Sequence, residues 1–143
     1  YLYRHLANEM TELGFDGAAT WFIAQAQEEV EHAAKFTKHL QDRGQRVVLA
    51  SIELDAPKIA SLLEAFKASL EHEQKVTAEI RHIARVADEV GDLESRDTIN
   101  WFLSEQVEEE SSAQGIIDKL ELVGNDGAGL LRIDEQLAQR GDN

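Results

Sequence analysis

Apolar residues recur along the chain at alternating three- and four-residue steps, the spacing of helices that turn one face to a core. The first run is Tyr3, Leu6, Met10 and Leu13, ending at Gly14. The second follows Asp16, a candidate N-cap, and passes through Phe22, Ala26, Glu29, Ala33, Phe36 and Leu40 to Gly44. A third passes Ile59, Leu62, Phe66, Ser69, Glu73, Val76, Ile80, Ile83, Ala87 and Val90 to Gly91. A fourth takes in Ile99, Phe102, Gln106, Glu109, Ala113, Ile116, Leu120 and Val123, ending at Gly124. A short fifth run, Leu130, Ile133 and Leu137, follows Gly127 and Gly129. The pattern predicts helices over roughly 1–13, 16–43, 58–90, 94–123 and 128–139.

Links of a few residues join the first helix to the second and the third to the fourth, so each pair should be antiparallel. Between the second and third, the stretch Gln45 to Lys58 carries Pro57 and lacks the helical rhythm. At roughly 3.3 Å per residue it can travel the length of a helix. The expectation is an all-α protein, a four-helix bundle with one long crossover and a short fifth C-terminal helix. One domain over 1–143 accounts for the whole length.

Composition narrows the chemistry. No cysteine is present, which excludes disulfides, thiolate zinc sites, iron–sulfur clusters and cysteine nucleophiles. A net charge of −14 argues against nucleic acid as a partner and suits cations. No run approaches the length of a membrane span, and no charged-then-apolar export signal opens the chain.

Two sequence features point to a site. Trp21-Phe22-Ile23, followed after four residues by Glu28-Glu29, recurs 80 residues later as Trp101-Phe102-Leu103 followed by Glu108-Glu109. The molecule thus reads as two similar halves carrying carboxylate to corresponding places. Moreover, Glu29, Glu73 and Glu109 all sit where the rhythm calls for core residues. A buried carboxylate costs several kcal/mol unless it is neutralised. His32 lies three residues after Glu29 on the same helical face. Glu-x-x-His facing inward glutamates from neighbouring helices is the arrangement of di-iron and di-manganese carboxylate sites. Oxygen-rich ligands with one imidazole suit iron or manganese. Gln106, one turn before Glu109, either hydrogen-bonds a ligand or is a buried amide satisfied by a neighbour. Glu28, Glu105 and Glu108 form either a further cation site or a solvated acidic face.

Gln27-Glu28-Glu29-Val30-Glu31-His32-Ala33, Glu71-His72-Glu73-Gln74 and Trp101 through Glu110 resemble the three metal-binding stretches of bacterial non-haem ferritins. Ile117-Asp118-Lys119-Leu120 and Gly129 through Asp134 are similar to that family too. The resemblance covers nearly the whole chain. It implies the ferritin-like fold and a cytoplasmic iron-storage protein that oxidises Fe(II) with oxygen or peroxide at an intrasubunit di-iron centre. The mineral would be stored in a homo-oligomeric shell of twenty-four subunits. By the same resemblance, Glu29 bridges the two irons, His32 binds the first, Glu73 and Glu109 hold the second, and Gln106 lines the centre. Glu28, Glu105 and Glu108, with Glu109, match a third iron site, and Tyr3 matches the tyrosine beside the centre. The fifth helix resembles the element around the four-fold axes of the shell.

The family's remaining ligand, a first-helix glutamate, maps one heptad before Tyr3, upstream of Tyr1. The expectation is that the sequence is a partial record of a longer protein. A storage subunit with an impaired ferroxidase site is the alternative, and a redox enzyme acting on an organic substrate is a third reading. Related families fit less well. Bacterioferritins repeat Glu-x-x-His on the fourth helix, where this chain has Ser112, and bind haem through a methionine where it has Val30. No haem is therefore expected. Rubrerythrins add a cysteine-rich iron module, and starvation ferritins build their site between subunits.

Overall fold

The computed structural model describes residues 1–142 as five α-helices, with no strand among the described residues. Asn143, the last residue of the expected 1–143 unit, lies outside them. The helices are α1 (Leu2–Leu13), α2 (Asp16–Asp42), α3 (Leu62–Val90), α4 (Arg96–Val123) and α5 (Gly127–Ala138). Helix α1 packs along α2, α3 along α4, and α5 against the start of α2. This is the bundle with one crossover that the apolar rhythm predicts.

The helix boundaries follow from local chemistry, and three differ from expectation. Helix α1 stops at Gly14, whose φ of 82° lets the backbone N–H groups of Gly14 and Phe15 turn back onto Thr11 and Met10. Asp16 does not cap α2; it is the first helical residue, and Phe15 at the cap position offers no side-chain acceptor. The cap comes instead from α5. Asp134 accepts hydrogen bonds from the backbone N–H of Gly17 at 3.1 Å and of Ala18 at 2.7 Å. Its negative charge also complements the positive end of the α2 dipole. Gly17 makes the approach feasible, since a Cβ there would lie 1.9 Å from the Asp134 carbonyl oxygen.

Helix α3 starts at Leu62 rather than near 58. Ser61 accepts from Glu64 N–H at 3.1 Å while the Glu64 carboxylate accepts from Ala60 N–H at 2.6 Å, a variant of the capping box. Ile59 is buried without being helical. Helix α4 is preceded by a separate 3-10 turn, Leu93–Ser95. The crossover has no regular secondary structure and is largely exposed, and it is tied to α1 where Ile59 N–H donates to Glu9 Oε2 at 2.9 Å.

The dry core fills the end of the bundle closed by α5. Phe22 and Phe66 stack at 4.8 Å between centroids, with Trp21 edge-on to both, and Leu6, Met10, Leu62 and Leu120 complete the packing. Aromatic pairs at such distances add about 0.5–1.5 kcal/mol beyond the area they bury. At the opposite end, beyond the reach of α1, Phe36, Leu40, Ile83, Val86 and Ile99 line an open groove of about 490 Å³. Leu40, Ile83 and Val90 fit the apolar rhythm but flank this groove and are exposed for that reason. The carboxylates lie between the two ends.

Candidate metal centre

Helices α2, α3 and α4 each turn polar side chains into the middle of the bundle: Gln25 and His32 from α2, Glu73 and Thr77 from α3, Gln106 and Glu109 from α4, all buried. Glu73 is only 2% exposed and Glu109 only 6%. Glu29 is half-buried beside them.

Glu73 is held from two sides. The Tyr3 hydroxyl of α1 donates to its Oε1, and Gln106 Nε2 donates to its Oε2 at 3.0 Å. The same Gln106 nitrogen lies 3.3 Å from Thr77 Oγ1, which donates to Glu110 at 2.5 Å. Gln106 is thus satisfied by protein neighbours while steering Glu73. Tyr3 itself packs parallel to Phe22 and meets the edge of His72. Burial and the adjacent Glu73 carboxylate push its phenol far above the ordinary range, so it stays protonated.

A second network runs through Gln25, which is fully buried. Its Nε2 donates to Glu109 Oε2 at 2.8 Å and approaches Glu29 Oε1 at 3.4 Å. On the far side of Glu29, His32 Nδ1 lies 3.4 Å from Oε2, while His32 Nε2 lies 3.8 Å from Glu105 Oε1. His32 therefore sits between two carboxylates, with Trp101 and Phe102 edge-on to its ring.

The charges are coupled. Burial pushes the Glu109 carboxyl up to about 7, and the neighbouring carboxylates of Glu73, Glu28 and Glu29 add to the shift against the hydrogen bond from Gln25. Burial also raises Glu73, opposed by its hydrogen bonds from Tyr3 and Gln106. Burial acts upward on Glu29 as well, but the hydrogen bond and charge of His32, with help from Gln25, leave it below the usual carboxylate range. His32 is raised in turn, first by its hydrogen bond to Glu29 and then, against burial, by the charges of Glu29, Glu109 and Glu105.

A cation fits this environment. Glu28, His32, Glu105 and Glu109 each place one ligand atom within 4.8 Å of the others. Two buried acceptors, Glu109 Oε1 and Gln25 Oε1, have no hydrogen-bond partner among the described residues. An unsatisfied buried acceptor costs about 1–3 kcal/mol. A hard cation would offset that cost at Glu109 and neutralise the crowded carboxylates. Oxygen donors with a single imidazole suit iron or manganese.

Most sequence-predicted site residues thus converge on one region. Glu29, His32, Glu73, Gln106, Glu109 and Tyr3 form linked networks, and Glu28 and Glu105 join His32 and Glu109. Glu108 does not: it is exposed and lies outside the four-residue group. His72 lies nearer the site than its position after Glu73 suggests, since it is half-buried and its charge acts on both Glu29 and Glu73. Gln25 was not among the expected residues. The available signal was its position one turn before Glu29, in the same place in the first repeat as Glu105 in the second.

Comparison with known proteins points in the same direction. Residues 1–123 match the ferritin family, described as a ferritin-like domain. A bacterial non-heme ferritin of Staphylococcus epidermidis is 35% identical over 143 residues, covering 100% of this chain and 86% of that protein. One from Staphylococcus aureus is 35% identical over 142 residues, covering 98% of this chain and 84% of the relative. Among solved structures, an open-pore ferritin from the archaeon Archaeoglobus fulgidus superimposes with a TM-score of 0.93 at 37% identity, over 96% of this chain and 85% of that one.

Proposed function

The chain belongs to the ferritin-like domain family, and from that premise we propose that it is an iron-storage subunit that oxidises Fe(II) at a di-iron centre within its own bundle. Membership of the family supports iron storage. The observation that carries the oxidation step is the convergence of Glu29, Glu73 and Glu109 from three helices, with His32 beside them and one oxygen of Glu109 left without a donor.

In this reading Fe(II) is the substrate. Glu29 bridges two ions, His32 completes the first, and Glu73 and Glu109 hold the second. Gln25 and Gln106 keep Glu109 and Glu73 in one orientation, so little rearrangement is needed when iron arrives. Carboxylates in a low-dielectric interior stabilise the more highly charged ferric ion more than the ferrous one, which favours electron loss. Each iron gives up one electron, and the pair reduces dioxygen to peroxide. Tyr3, protonated and hydrogen-bonded to Glu73, fixes that carboxylate and stands within reach of the reacting pair.

Glu28, Glu105, His32 and Glu109 surround an accessory cation position on the same helices, which offers a route away from the oxidised pair. We place the protein in the cytoplasm, assembled as a homo-oligomeric shell of twenty-four subunits that stores the ferric product. Among the described residues no helix is long and apolar enough to cross a membrane.

The test is ferrous oxidation in air, followed by ferric absorbance, with native mass recorded in parallel. The protein should outpace buffer, and a Glu29→Gln/Glu109→Gln variant should lose that excess while keeping its helicity and assembly. An unchanged rate would refute ferroxidase chemistry and leave a storage subunit that assembles without fast oxidation.

A further inference from the structure

Helices α2 and α4 contribute all four members of the accessory cation group, yet the nearest fixed positive charge comes from outside the bundle. Arg140 lies on the 3-10 turn Gln139–Asp142 that follows α5. Its Nη2 donates to Glu28 Oε2 at 2.7 Å. The guanidinium carbon stands 4.3 Å over the Trp21 ring, and the buried Nη1 has no hydrogen-bond partner among the described residues. The turn is carried there by α5, whose Ile133 and Leu137 are buried and whose Asp134 caps α2.

We propose that Arg140 is an internal counter-cation of the accessory site, which competes with incoming metal for Glu28 and so sets that site's affinity. The proposal rests on reading Glu28 as a cation ligand. Two effects act together. With Oε2 committed to the guanidinium, Glu28 can ligate through one oxygen only, unless Arg140 lets go. A positive charge this close also repels a second cation. The pair is neither deeply buried nor fully exposed, with side-chain exposures of 29% for Arg140 and 37% for Glu28. An ion pair of that kind contributes modestly, which suits a contact that must yield. The Trp21 face keeps a released guanidinium close by, since cation–π attraction does not need Glu28.

The contact also links metal occupancy to the C-terminal turn. When a cation takes both oxygens of Glu28, Arg140 loses its one side-chain hydrogen-bond partner among the described residues, and the turn is held by its packing on α2 and α5 and by Trp21. Emptying the site restores the pair.

The experiment titrates Zn(II), which is redox-inert, into the assembled apoprotein by calorimetry. Wild type is compared with Arg140→Gln, Arg140→Lys, Glu28→Gln and the Glu28→Gln/Arg140→Gln double variant. Glu28→Gln should remove the accessory class of binding. Arg140→Gln should tighten that class about threefold, the scale of a partly exposed ion pair, and Arg140→Lys should stay close to wild type. In the Glu28→Gln background, Arg140→Gln should change nothing. If Glu28→Gln removes accessory binding but Arg140→Gln leaves it equal or weaker, the competition is wrong while the site stands. If Glu28→Gln leaves Zn(II) binding intact, the accessory site itself is refuted, and the role of Arg140 with it.

Discussion

The two copies of the Trp-Phe-aliphatic segment share a scaffold and differ in what they present. In α2, Trp21 and Phe22 are buried in the dry core with Phe66, while in α4 Trp101 is half-buried and Phe102 stacks at 3.9 Å on a half-buried Phe36. The following carboxylates diverge further. Glu109 is buried where its counterpart Glu29 is half-buried, and Glu108 faces solvent where its counterpart Glu28 is held by Arg140. At the third corresponding position, α2 has Gln25, which donates to two carboxylates, and α4 has Glu105, which faces His32. A duplicated pattern thus builds an asymmetric site. Equivalent positions on α2 and α4 meet different neighbours, because α5 packs against the start of α2 while α3 runs along α4.

Four experiments test that contrast, from the largest effect to the smallest. Phe22→Ala should destabilise by about 3–5 kcal/mol, because the core around it cannot collapse into the gap. Phe102→Ala should cost about half as much, since its stacking partner Phe36 can move towards the open groove. Chemical denaturation of both variants measures the difference, and equal losses would show that the two ends are packed alike. Glu109→Ala should slow ferrous oxidation on the order of 100-fold or more, beyond the usual effect of removing a supporting residue. Glu108→Ala should leave the initial rate within about twofold, as expected of an exposed side chain. Stopped-flow absorbance compares them.

Gln25→Leu should cost about tenfold in the same assay, because Glu109 and Glu29 then lose a shared donor. A neutral result would reduce Gln25 to a packing residue.

The smallest effect is a pH dependence. Glu109 and Glu73 have folded-state values raised above the ordinary carboxylate range, Glu109 to about 7. Groups raised in this way stabilise the apoprotein fully below their unfolded values, and that contribution is lost as pH rises through their folded values, about 7 for Glu109. Apoprotein melting temperature should therefore fall across this window. Zn(II) must displace the same proton, so the stabilisation it gives should grow as pH rises. Thermal melts with and without Zn(II) read both trends, and a Zn(II) gain independent of pH would contradict the role of Glu109.

The helices were legible because their apolar period is long and unbroken, and the carboxylates were legible because they interrupt it. What escaped the sequence depends on contacts between distant segments. Asp16 has the right chemistry to cap α2, but Asp134 does so from 118 positions further along the chain, across a gap only Gly17 permits. Ile59 keeps the apolar rhythm without being helical, since Ser61 and Glu64 begin α3 after it. Gln25 lies three residues after Phe22 and four before Glu29, on the inner face, but a neutral amide interrupts the apolar run less visibly than a carboxylate does. The pairing of Arg140 with Glu28 spans 112 positions and exists only because α5 docks on α2.

The most direct test of the central claim is anomalous diffraction from crystals loaded with iron under anaerobic conditions. Two iron peaks should appear between α2, α3 and α4, one held by Glu29 and His32 and one by Glu29, Glu73 and Glu109, with a weaker third beside Glu28 and Glu105. Peaks confined to exposed acidic residues, or none among Glu29, Glu73 and Glu109, would contradict the account.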